Sequence, residues 1–149
     1  MANFILSTAA VGQSIRQIET QMEKHHWRDA RQLLMKSLRK DTGNIELKWI
    51  AAQWFFDSHN PNRQIDSSYL FLQKAISSYR SITERQRERL KRQDLDEPVF
   101  QAFKQRLDSA AFERSKQINT VAAYQFFIEH FPSATEKDKA IELRNEVAF

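Results

Sequence analysis

The sequence has no cysteine, and only 2 glycines and 3 prolines in 149 residues. Average usage puts glycine and proline together at roughly 12% of a chain. The missing cysteine excludes a disulfide framework, a thiol nucleophile and a Cys-based zinc site. Two glycines, Gly12 and Gly43, cannot form a phosphate-cradling loop of the Walker or dinucleotide kind. Sandwiches, barrels and α/β folds draw on many turn glycines and prolines, which this chain does not supply. No stretch reaches the ~20 apolar residues that cross a membrane. What is present is 41% hydrophobic and 28% charged residues, enough to bury a core and unlike a disordered polyelectrolyte. An all-α protein remains, and 149 residues suit one domain or one run of small repeats.

The apolar periodicity predicts about eight helices. Ile15, Ile18 and Met22 mark a first one over Gln13–His26, and Ala30, Leu33, Leu34 and Leu38 a second over Trp27–Lys40. Gly43 suits the C-terminal cap of that helix and Asn44 the N-cap of the next. Ile45–Ser58, with Trp49, Trp54, Phe55 and Phe56, is apolar on more than one face and reads as the central helix. Asp66 or Ser67 can cap a fourth helix, and Thr83 with Gln86 makes a capping-box pattern before a fifth. Asp96 and Pro98 start a long helix that ends near Ile118. Asn119-Thr120 caps Val121–Phe131, and a last helix starts near Thr135.

Charge is concentrated in one place. Residues 80–93 hold six bases (Arg80, Arg85, Arg87, Arg89, Lys91, Arg92) and two acids (Glu84, Glu88), a net of +4 that equals the whole chain's. The beginning, with a weak apolar run and then Ala10-Val11-Gly12, has part of a signal-peptide signature but no positive n-region. Residues 1–12 are therefore read either as a signal-peptide remnant, which implies periplasm or cell envelope, or as a frayed tail on a cytoplasmic protein.

Self-comparison finds a repeat. Ala30…Leu34…Ser37 recurs 38 residues later as Ser68…Leu72…Ala75, and again as Thr120…Tyr124…Phe127, followed by Pro132. The third copy, running Thr120-Val-Ala-Ala-Tyr124-Gln-Phe-Phe127 to Phe131-Pro132, resembles the second helix of tetratricopeptide repeats (TPR), in the form common in bacterial cell-envelope proteins. Ser68 and Thr120 stand where alanine is usual, and the second and third copies are 52 residues apart, against roughly 34 in a regular array. The resemblance implies a TPR-like α-solenoid of antiparallel helical pairs. On this reading residues 13–149 form a single helical-repeat domain with a charged insert at 80–97. The apolar end at Ala148-Phe149 suggests that it continues into a longer protein.

The candidate sites are few. His25 and Asp29 have the spacing of a metal pair but no second histidine on that face, so solvated helix-end histidines are expected and no metal or cofactor is called. Asp94, Asp96 and Glu97 are explained by helix capping, and with neither elbow nor HExxH motif present the chain is not expected to be an enzyme. The tryptophans and phenylalanines at helical spacing read as core, with Trp54 or Phe56 the candidates to line a concave face. Arg85, Arg89 and Arg92 lie at i, i+4 and i+7, so one helix face presents three guanidiniums able to grip phosphates or an acidic peptide. Glu84 can reach Arg87, and Glu88 can reach Arg92. The expected function is a non-catalytic scaffold that binds a peptide or partner protein in a helical groove. The alternative is a cytosolic binder of nucleic acid or an acidic partner through Arg80–Arg92.

Overall fold

Asn44 shows how local chemistry sets the helices of this protein. Its Oδ1 accepts from Leu47 N at 2.9 Å, which satisfies one orphan donor of the helix it opens. The computed structural model describes residues 2–149, with side chains from Ala10 onward. The described residues form eight helices and no strand: α1 (Ala2–Glu23), α2 (Trp27–Lys40), α3 (Ile45–Phe56), α4 (Ile65–Ser81), α5 (Glu84–Lys91), α6 (Glu97–Ile118), α7 (Val121–His130) and α8 (Lys137–Ala148). They gather into two compact units, Met1–Asp94 and Leu95–Phe149. None of the helices is long and apolar enough, over its described residues, to cross a membrane.

In the first unit α1 pairs with α2 and α3 with α4, and α3 also touches both α1 and α2. That position explains the apolar character of α3 on all sides, since eight of its residues are buried. Ile18, Leu34, Leu47 and Trp54 form the centre of the core. Trp54 has a polar edge to satisfy, and its Nε1 donates to Trp27 O at 3.0 Å. Where α4 crosses α3 the buried Ser68 donates its hydroxyl to Ala52 O at 2.6 Å. Two small residues let the backbones approach that closely. Asn60, also buried, donates from Nδ2 to Trp54 O at 2.7 Å and so closes the C-terminus of α3.

In the second unit α7 packs against both α6 and α8. Phe100, Leu107, Tyr124, Phe127 and Phe131 are almost fully buried there. The close crossing is made by Ser115, whose hydroxyl reaches Ala123 O at 3.3 Å. Thr120 is exposed and serves as the N-cap of α7, accepting from Ala123 N at 3.1 Å. Thr120 is thus the cap that the sequence predicts, and Ser115 of α6 supplies the small residue at the crossing.

Several boundaries differ from the sequence pattern for physical reasons. Helix α1 begins at Ala2 rather than Gln13, because no breaker interrupts its start. Gly43 is not a left-handed cap: α2 is capped by Asp41 at φ −137°. The turn is closed instead by Asn44 N donating to Asp41 O at 3.3 Å and Asn44 Nδ2 to Asp41 Oδ2 at 3.2 Å. Left-handed backbone falls on His25, Asp94 and Asn119. Helix α4 starts with Gln64 as its cap, ahead of Asp66 and Ser67, since Gln64 N is tied back to Phe55 O at 2.8 Å. Helix α8 begins at Lys137, after turns in which Ala134 N reaches Phe131 O and Lys137 N reaches Ala134 O.

Candidate arginine-lined interface

Helix α5 is short and strongly polar, so it depends on its cap. Thr83 Oγ1 accepts from Gln86 N at 3.3 Å, and Gln86 Oε1 accepts from Thr83 N at 3.0 Å. This is the reciprocal capping box that the sequence predicts. Arg85 and Arg89 lie on α5, and Arg92 follows as its C-cap with helical angles of −63° and −16°. The i, i+4, i+7 relation is therefore kept, and all three arginines are exposed.

The two ion pairs foreseen beside them part company. Glu84 Oε2 takes Arg87 Nη2 at 2.9 Å and Nε at 3.2 Å, and Arg87 also donates to Ile82 O at 3.0 Å. Arg87 is thereby committed to holding the α4–α5 turn. The Glu88–Arg92 pair does not form. Arg85 and Arg92 thus keep their guanidiniums free of ion pairs among the described residues.

Arg89 is placed differently. It lines a cleft of about 210 Å³ with Val11, Gly12 and Ile15 of α1, Asp41 and Asn44 of the α2–α3 turn, Glu46 of α3, and Gln93. Burial pushes the Glu46 carboxyl above its ordinary range; the Arg89 guanidinium opposes that shift, and the charge of Glu19 adds to it. Asp41 is engaged by Asn44, whereas Glu46 and Arg89 make no hydrogen bond or ion pair with each other. The cleft accordingly offers an apolar wall, two carboxylates, of which Asp41 is hydrogen-bonded by Asn44, and one guanidinium. Such a set can take a polar side chain or peptide group on the charges and an apolar one against Val11 and Ile15.

The other candidates fall into structural roles. His25 stacks between Trp27, at 5.5 Å, and His59, at 4.7 Å. His26 Nδ1 lies 2.9 Å from Gln21 Oε1. Among the described residues no group of three or more His, Asp or Glu side chains is arranged to hold a metal ion. Asp96 caps α6 by accepting from Val99 N at 3.3 Å, and Asp94 occupies the left-handed turn before it. Trp54 and Phe56 are both buried, so neither turns its ring face to a groove.

Sequence reasoning missed Glu46, Asp41 and the α1 residues of the cleft. No local pattern could have found them, because they meet Arg89 only through the packing of α1, α3 and α5. Compared with protein-family models, curated proteins and solved structures, the chain matches none.

Proposed function

We propose that this chain is a non-catalytic protein-interaction scaffold of TPR-like helical pairs, and that the Arg89 cleft belongs to its contact surface. The observation that carries the reading is the equivalence of Ala30 and Ser68. They stand 38 residues apart at matching positions of α2 and α4, and both are fully buried. Each belongs to one hairpin, and α3 packs on both helices of the hairpin before it. A helical pair cannot bury its apolar face alone, and stacking pairs leaves a surface suited to an extended or helical peptide. Arg85 and Arg92, with no acid paired to them, add affinity for carboxylates on that partner. The resemblance to cell-envelope TPR proteins points to a role in bacterial envelope assembly, or within a larger multidomain protein.

The absence of a Glu88–Arg92 pair favours a second reading, in which the arginine face binds nucleic acid or an acidic partner mainly by charge. Selection of random displayed peptides on the purified protein separates the two. The scaffold reading expects an enriched sequence with apolar anchors whose binding survives added salt. The second reading expects binding that falls steeply with salt and is lost in the Arg85→Gln/Arg89→Gln/Arg92→Gln variant. Failure to enrich any peptide contradicts the scaffold.

A further inference from the structure

Two side-chain oxygens are buried without a hydrogen-bond partner among the described residues, Asp108 Oδ1 and Glu136 Oε2. Both residues lie in the second unit and are connected through Ser109, the neighbour of Asp108 on α6. Asp108, in the middle of α6, is only 3% exposed, and its Oδ2 accepts from Lys104 Nζ at 2.6 Å. Glu136 is the N-cap residue of α8, and its Oε1 accepts from the hydroxyl of Ser109 at 2.8 Å. Each carboxylate thus has one satisfied oxygen and one bare oxygen. The charge of Glu136 is felt at Asp108.

Ionised carboxylates only accept hydrogen bonds, so neither bare oxygen can satisfy the other. Lys104 neutralises one of two negative charges, and a single proton would neutralise the second. No cluster of three ligands exists here for a metal. The charged groups that act on Asp108 are Lys104 of its own helix and Glu136. At the head of α8, Lys137, Asp138 and Lys139 do not act on it, and Lys139 is taken up by Glu142 at 2.9 Å. From α7, Glu129 and His130 are exposed and do not act on it either.

We propose that Asp108 and Glu136 are a proton-sharing pair, which in mildly acidic solution holds one hydrogen between Oδ1 and Oε2 and latches the head of α8 to the middle of α6. The proton turns one bare acceptor into a donor and satisfies both atoms with a charge-assisted bond. Burial and the Glu136 charge raise Asp108 above its ordinary value of 3.8, against the pull of Lys104. A raised carboxyl stabilises the fold below the ordinary value, and that contribution is lost as pH rises through the raised one. The latch is therefore closed on the acid side and released towards neutrality.

Carbon-13 carboxyl titration of the full chain from about pH 3 to 8, with amide exchange of α8, tests this. The pair should titrate in two linked steps, one of them above the ordinary carboxylate range. Amide protection in the first turn of α8 should fall about tenfold for each unit of that displacement as pH passes the upper step. In Glu136→Gln the new amide donates to Asp108 Oδ1, so the upper step should vanish and α8 exchange should lose its dependence on it. Asp108→Asn gives the same readout from the Glu136 side if Glu136→Gln does not fold. Two independent titrations in the ordinary range overturn the proposal, as does α8 exchange that ignores the upper step.

Discussion

Arg89 and Glu46, 43 positions apart in sequence, line the same cleft, and the guanidinium holds down a carboxyl that burial pushes up. The cleft thus brings a residue of the basic helix α5 near the first turn of α3. It also means that Arg89 serves two ends, facing Glu46 while forming the middle of the exposed arginine row.

Replacing Arg89 with Gln should move Glu46 further above its ordinary value of 4.5, because the opposing charge is gone while burial and Glu19 remain. The sign for stability follows from linkage. A raised carboxyl contributes stability below its ordinary value, and the contribution is lost as pH rises through the raised one. The variant should therefore lose stability relative to the native protein as pH rises towards neutrality. Carboxyl titration by NMR alongside denaturation at several pH values measures both effects. A Glu46 midpoint that stays in place would contradict the electrostatic contact.

Thr83→Ala removes the hydroxyl that accepts from Gln86 N, at a cost of about 1 kcal/mol for a lost N-cap. Helix α5 has eight residues, too few to hold without its cap. Amide exchange should rise across Glu84–Lys91 and remain unchanged in α6–α8. Partner binding through the arginine row should weaken with it, although no arginine has been altered.

Trp54→Ala should destabilise the first unit by about 3–5 kcal/mol, the usual cost of emptying a large aromatic site. Trp54 is 1% exposed and also donates to Trp27 O, so the loss includes that hydrogen bond. Because Trp54 lies within the first of two compact units, denaturation should show an early loss of Phe55 and Phe71 contacts, which lie beside this site. Amides of the second unit should keep their protection. Equal loss in both units would refute that placement of the core.

Much of the architecture was legible because it rests on local chemistry. The bounds of α2 follow from its amphipathic run, and the caps at Asn44, Thr83, Asp96 and Thr120 are side-chain bonds within three residues. The misplaced boundaries depend on distant partners. The start of α4 is set by Gln64 reaching back to Phe55, and the end of α3 by Asn60 closing on Trp54 O. The candidate site divides in the same way. The arginine row is a spacing within one helix and could be read directly. The Glu46 cleft and the Asp108–Glu136 pair bring together residues separated by 43 and 28 positions, and nothing in the sequence near either residue announces its partner.

The most direct test of the scaffold reading is amide chemical-shift mapping of the full chain with a peptide enriched by display. The account predicts saturable shifts concentrated at Val11–Ile15, Asp41–Glu46 and Arg85–Gln93, retained at raised salt and diminished in the triple arginine variant. Binding that leaves those three segments unmoved, or the absence of any saturable binding, would contradict it.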